Sequence, residues 1–391
     1  MGIISRYLLL ELIKVFAFTV AGMTGLMMLV GIVQEAIREN LTPGTIIELL
    51  PFLLPNALCF AIPGTMLFSV CLVYGRMSAA NEIVAIKSAG QTPLRVLWPA
   101  LLLALSLSFF TVFLNDLAVS WGRSGAYRVV LNAVEKTIYS VLSVERVYKK
   151  GNLSIEVDGV ENGELIMPSI EIQDSRRVLR FQAKTAKIFV RPNEEQLVFS
   201  VKDAVAHDPA RGATIRLAND EIEIPLRSQD KDRKESPSNL PLRSMTQELQ
   251  TEMRNLDDQQ RLFALQAAMG FCAGDFHDLA TPMWDERSEA LIGSEQRIHR
   301  LRTEPWRRWA NGFSCLCFVL LGVPLAIYLR RADFWTTFAL CFLPILIAYY
   351  PLLMFGVSQA KAGRVPPFTV WMGNIVIMLV GLWLVKRTIR S

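Results

Sequence analysis

His207, His277 and His299 are the three histidines of this chain, and with six cysteines they make up its soft metal-ligand chemistry. Their spacing assembles nothing. Cys59, Cys71, Cys315, Cys317 and Cys341 sit in apolar runs, and only Cys272 lies in the polar middle of the chain, where the histidines are scattered. Neither a zinc site nor a disulfide framework is expected from that pattern. The chain carries no G-x-x-x-x-G-K-[ST] phosphate cradle, and no H-E-x-x-H, nucleophile elbow or catalytic triad pattern. It is therefore not expected to be a P-loop ATPase, or to carry a catalytic residue, a metal or a cofactor of its own.

What remains is charge at chosen places. The stretch YGRMSAANEIVAIKSAGQTPLR, Tyr74 to Arg95, lies between two long charge-free runs yet is written as a small capped helix. Ser78 is a candidate N-cap, Glu82 falls near the positive end of the helix dipole, and Gly90 followed by Pro93 reads as a stop. A second group of charges brackets the other ends of the apolar runs: Arg38, Arg307, Arg308, Lys361 and Arg364. Two readings stay open for these. They snorkel to ordinary headgroups, or they meet the phosphates of an anionic glycolipid, which arginine grips in bidentate fashion.

The elements that position these charges follow from hydropathy. Of 391 residues 52% are hydrophobic, too many for a soluble protein, while the middle is too charged to be embedded. Runs long enough to cross about 30 Å of hydrocarbon as helix are Val15 to Gln34, Leu49 to Tyr74, Val96 to Leu114, Trp309 to Leu329, Phe334 to Val357 and Phe368 to Val385. Arg6 and Lys14 precede a full-length first span, so a retained helix rather than a cleaved signal is expected. If the spans alternate, Arg6, Lys14, Arg76, Lys87, Arg95, Arg330, Arg331, Lys386, Arg387 and Arg390 share one side, which should be cytoplasmic. The long segment from Asn115 to Arg308 then faces the other way.

That segment changes period midway. LSIEV at 153, VLRFQAKTAKIFV at 178, QLVFSVKDAVAHD at 196 and ATIRLANDEIEIPL at 213 alternate with period two, as a sandwich or jelly roll would. RSQDKDRKESPSNLP is a charged linker. Beyond it Met245, Leu249, Met253, Leu256 and Phe263 fall on one helical face, Ser244 and Gln247 suggest a capping box, and a second helical piece runs from Pro282 to Leu301. The expected divisions are spans at 1–119, a linker at 120–142, strands at 143–226, a charged linker and helical insertion at 227–305, and spans at 306–391.

The quoted loop, RYLLLELIKVF near the start, GFSCLCFVLLGVPLAIYLRR from Gly312 and GRVPPFTVWMGNIVIMLVGLWL from Gly363 together resemble the LptF/LptG permease family of lipopolysaccharide-export ABC transporters. The resemblance implies an α-helical integral inner-membrane protein with six transmembrane helices, three and three, around an inserted extracytoplasmic β-jelly roll. It implies a permease that extracts lipopolysaccharide or a related lipid and passes it to a periplasmic jelly-roll bridge. Its partners would be a cytoplasmic ATPase dimer that binds the ATP, a second permease of this type and an LptC-like bridge protein, with no nucleic acid.

By position in that family, the loop at 78–90 would be the coupling helix, with Glu82 touching the ATPase and Arg76 and Gly90 framing the element. The strand face bearing Phe181, Ile188, Phe199 and Val201 would be the acyl-chain path. Arg38 and Arg364 are the better headgroup candidates, since the family's lipid cavity uses the first and fifth spans; Lys361 and Arg307 follow. The helical piece between Leu240 and Glu304 departs from the family as a longer connection, a docking surface or a lid. An ion-coupled carrier is the alternative, disfavoured by charge-free spans, and a membrane-anchored scaffold or sensor would not need six.

Overall fold

The computed structural model describes residues 2–39, 43–150, 153–161, 163–174, 177–191, 196–208, 213–225, 236–274, 282–329 and 333–390. In chain order the elements are α1 (Ile3–Glu39), α2 (Pro43–Ala79), α3 (Glu82–Ser88), α4 (Pro93–Leu117), a π-helical segment Ala118–Arg123 and α5 (Ser124–Glu145). Nine strands follow, β1 (Val147–Lys150), β2 (Leu153–Glu156), β3 (Gly159–Glu161), β4 (Glu164–Ile166), β5 (Ser169–Asp174), β6 (Arg177–Gln182), β7 (Thr185–Arg191), β8 (Gln196–Asp208) and β9 (Ala213–Pro225). The chain then returns to helix with α6 (Leu242–Ala273), α7 (Pro282–Tyr328), α8 (Phe334–Pro344), a π-helical Ile345–Tyr349, α9 (Tyr350–Lys361) and α10 (Met372–Arg390). Two compact units result: Met1–Leu29, Leu53–Arg123 and Glu235–Ser391 form one, Val30–Phe52 and Ser124–Lys234 the other.

Among the described residues six helical segments are long and apolar enough to cross a membrane: Ile3–Gln34, Gly44–Ala79, Leu94–Val130, Arg287–Tyr328, Phe334–Lys361 and Pro367–Ile389. Helix is the local solution because hydrocarbon offers no partner to an open backbone group. Most outrun the six apolar stretches of the sequence, and the span from 120 to 142 expected as a linker is itself helical. The piece expected at Pro282 to Leu301 does not end there; α7 runs unbroken for 47 residues into the fourth span.

Contacts in the helical unit are made close by small residues, as membrane packing requires. A Cβ at Gly312 would collide with Val112 Cγ2, and one at Gly356 would lie 2.7 Å from the Thr369 carbonyl oxygen. One core gathers Leu8, Leu12, Tyr74, Met77, Ile83, Val96 and Val319 from α1, α2, α3, α4 and α7. A second joins Leu67, Phe318, Cys341, Tyr349, Leu353 and Val370 around α7 and the fifth span.

In the other unit the strands are antiparallel, in the order β1-β2-β5-β6-β8-β7-β4-β3, with β9 on the far edge of β8. The long β8 carries β6 on its later half (Phe181↔Ala206) and β7 on its earlier half (Ile188↔Phe199), so the sheet splits into two branches and curls. The apolar side of that curl is the core.

These contacts give opposite signs for two Gly→Ala changes. Gly356→Ala meets backbone and should cost about 1–3 kcal/mol, lowering the melting temperature of the detergent-solubilised protein. Gly64→Ala meets nothing within 4 Å and should be neutral or slightly stabilising, since alanine is the better helix former.

Candidate functional site

The short helix α3 exists because its ends are fixed by backbone geometry. Asn81 takes a left-handed conformation, φ 58°, and turns the chain out of α2. Ser78 is not the N-cap: it sits in the last turn of α2, nearly buried, and its hydroxyl donates to the Ile327 carbonyl of α7 at 2.9 Å. A local pattern cannot reveal a partner 249 residues away. The other end matches the expectation at Gly90. With φ +77°, Gly90 donates its N–H to Lys87 O at 2.9 Å while the Gln91 N–H reaches Ile86 O at 3.2 Å, the paired bonds of a Schellman stop.

One side of α3 is anchored and the other is open. Ile83 is 3% exposed within the helix core, and Lys87 Nζ donates to the Thr388 carbonyl of α10 at 3.2 Å. Arg76 pairs with Glu11 of α1 at 2.8 Å; exposed as it is, the pair contributes little, about 0–1 kcal/mol. Glu82, Val84, Ala85 and Ser88 face outward. Glu82 occupies the first turn, where the helix dipole favours a carboxylate, and has no ion-pair partner among the described residues.

The opposite end of the same helices is organised by buried charge. Arg308 of α7 is fully buried. It donates to Asp116 Oδ1 of α4 at 3.2 Å, to the Leu240 carbonyl at 2.6 Å and to the Ser238 carbonyl at 3.3 Å. Asp116 Oδ1 also accepts the Leu242 N–H at 2.8 Å, closing the start of α6. The expected capping box is absent, since Ser244 lies inside α6 and donates to Pro241 O at 3.0 Å. One turn before Arg308, buried Glu304 accepts from Ser238 Oγ at 2.9 Å, Lys361 Nζ at 3.0 Å and Arg307 NH2 at 2.7 Å.

Beside Glu304 opens a cavity of about 390 Å³ lined by Ser238, Gln296, Arg300, Glu304, Lys361 and Arg364 among others. Of the sequence candidates, Lys361 and Arg364 share this pocket, and Arg307 adjoins it through Glu304. Arg300 and Arg364 make no ion pair among the described residues, so the pocket presents more positive than negative charge. Arg38 is near the end of α1 and its side chain lies outside the described residues. Asp116, Glu304 and Arg300 escaped the sequence reading; the Glu304/Arg307 spacing of three on a helix was the one local hint. Of the expected α6 face Met245 is buried and Leu249 and Leu256 are partly so, but Met253 is exposed and its neighbour Glu252 is buried, paired with Arg297 of α7 at 2.8 Å.

Phe181, Ile188, Phe199 and Val201 do meet, in a single apolar cluster with Ile155, Leu165 and Ile170. Phe199 and Val201 are essentially closed to solvent and Ile188 nearly so, while Phe181 is half-buried. Helix α5 lies over this cluster and contributes Ile138 and Leu142. Tyr139 of α5 accepts the Ile188 N–H at 2.9 Å and donates to Gly163 O at 2.9 Å. Burial pushes its hydroxyl above the usual range, so it stays protonated and able to donate.

Among the described residues, three membrane-length helices precede an antiparallel sheet in the chain and three follow it, an order that suits the transmembrane subunit of a transporter. The chain belongs to the LptF/LptG permease family: the family profile described as lipopolysaccharide export system permease LptF/LptG matches residues 6–387. No individual curated protein gives a significant match. It is thus a multi-pass inner-membrane permease of the lipopolysaccharide-export ABC transporter, and the ATP is hydrolysed by a separate subunit.

Arg308→Ala should be among the costliest single changes in the chain, about 3–5 kcal/mol, because it strands Asp116 and two carbonyls. The pair Arg308→Met with Asp116→Asn should recover part of that loss. Thermal melting of the purified variants checks both.

Proposed function

We propose that α3 is the coupling helix of this permease and seats in a groove of the cytoplasmic ATPase dimer, with Glu82 as its charged contact and Arg76 and Gly90 holding its frame. The observation that carries this reading is the asymmetry of α3: Ile83 is buried in the helix core and Lys87 is tied to α10 on one side, while on the other Glu82 is exposed with no ion-pair partner among the described residues. A helix so held passes displacement to the spans, where a slack loop would absorb it.

In the same reading the pocket of Arg300, Lys361 and Arg364 receives the phosphates of lipopolysaccharide or a related anionic lipid, with Arg307 contributing charge beside it through Glu304; Arg38 stays a headgroup candidate by its place in the sequence alone. Chain orientation with the β unit in the periplasm fits the positive residues around α3. Large apolar side chains stand exposed along α1 (Phe18, Leu26, Leu29) and the fifth span (Leu343, Ile347, Met354), surface for a second LptF/LptG-type permease and for acyl chains. The sheet interior lined by Phe181, Ile188, Phe199 and Val201 would carry those chains onward to an LptC-like bridge.

Glu82→Lys sets like charge against a basic partner and should cost about 2–5 kcal/mol at the interface, at least a tenfold loss in co-purified ATPase. Membrane insertion should be normal. A charge reversal on the ATPase should restore part of the binding. Full assembly and export by Glu82→Lys would remove Glu82 from the interface.

A further inference from the structure

The apolar interior of the sheet is closed by a helix, not by strands. Among the described residues no strand pairing joins β1 to β3, the two ends of the strand order, so the curl has an open seam. Helix α5 packs against β1, β3 and β7, which places it across that seam. Among its described side chains, Ile138 and Leu142 are buried among ten apolar residues of the strands and their turns and Tyr139 is half-buried against them, while Val144 on its outer side is 80% exposed.

At the edge of β7 the Tyr139 hydroxyl does a strand's job. Among the described residues β4 pairs with β7 only at Leu165↔Ala186 and Ile166↔Thr185, and no strand covers the edge of β7 beyond Ala186 on that side. The Ile188 N–H there is taken by Tyr139 Oη, which in turn donates to Gly163 O in the β3–β4 turn. Water can replace both bonds once the helix lifts, so their net contribution is modest. The exposed apolar lining is the costly part, and only another apolar occupant offsets it. The backbone ladder just before α5 is already irregular, running as π-helix from Ala118 to Arg123, a departure often found at functional positions.

We propose that α5 is a displaceable plug: it occupies the seam between β1 and β3 and the apolar interior behind it, and gives way when lipid acyl chains enter there. This rests on the reading of the sheet interior as a lipid path. It adds that the path is shut at rest, so that opening it requires α5 to leave rather than two strands to part.

The test uses the whole transporter with its ATPase, reconstituted with lipopolysaccharide. Cys272, the exposed cysteine, is changed to Ser, and benzoylphenylalanine replaces Phe181 to capture lipid on illumination. Cysteines at Glu135, one turn before Tyr139 on α5, and at Glu164, next to Gly163, are then joined or left unjoined by a bismaleimide, so that the Tyr139 hydroxyl is kept. The plug predicts ATP-dependent capture in the unjoined protein and at least a fivefold loss when joined. Equal capture in both overturns the plug and leaves the lipid path standing. No capture in either overturns the path and the plug with it.

A variant that spares the fold gives the converse. Tyr139→Phe keeps the ring and removes the two bonds of the hydroxyl, and should raise capture at Phe181 several-fold in the absence of ATP. Lowered thermal stability with no rise in capture would mean that α5 is fixed core.

Discussion

Arg308 is a permanent positive charge held out of water at the end of a membrane helix, and it is tolerable only while its partners stay in place. Those partners come from everywhere the chain changes direction: Asp116 at the end of the third span, and the carbonyls of Ser238 and Leu240 just before α6. Asp116 in turn fixes the first amide of α6, and Glu304 one turn away holds Ser238, Arg307 and Lys361. Moving any one of these elements alone would leave a buried charge uncompensated. The end of the bundle therefore moves as one body or costs several kcal/mol, roughly the worth of a broken buried pair.

The same helix carries that constraint to the opposite end. From Arg308 to Ile327 α7 covers about 28 Å at 1.5 Å per residue, close to the thickness of the hydrocarbon. At Ile327 its carbonyl takes the Ser78 hydroxyl, next to α3. Between the two ends, α4 lies so close that Gly312 has no room for a side chain beside Val112. A push on α3 is thus delivered into packed helices with little slack.

Sequence alone made the large features legible because each has a local cause. Charge-free runs announce the spans, period-two alternation announces the strands, and Gly90 announces the end of α3 through a backbone angle that only glycine adopts freely. The phase of Ile188, Phe199 and Val201 was not readable: Phe199 stands between Val198 and Ser200, and a one-residue slip would reverse the faces, so only the strand register settles it. Ser78 and Ser244 misled because their hydroxyls answer carbonyls that local capping rules do not consider. Arg308 and Asp116, 192 residues apart, are joined only by the fold. The role of α5 was hidden for a further reason: its sequence reads as a connection, and only strand order shows that a seam exists for it to fill.

The central claim is that the α3 end and the charged outer pocket belong to one rigid body. Spin labels at Ser88 and Ala362 of a single permease, in the transporter assembled with its ATPase, report that distance directly by pulsed dipolar spectroscopy. Each label paired with its counterpart on a second permease reports movement of that end. Rigid transmission predicts that between the nucleotide-free and vanadate-trapped states the distance within the chain stays constant while both cross-permease distances change together. A change at Ser88 with none at Ala362, or a shift in the distance within the chain as large as the movement at Ser88, would contradict it.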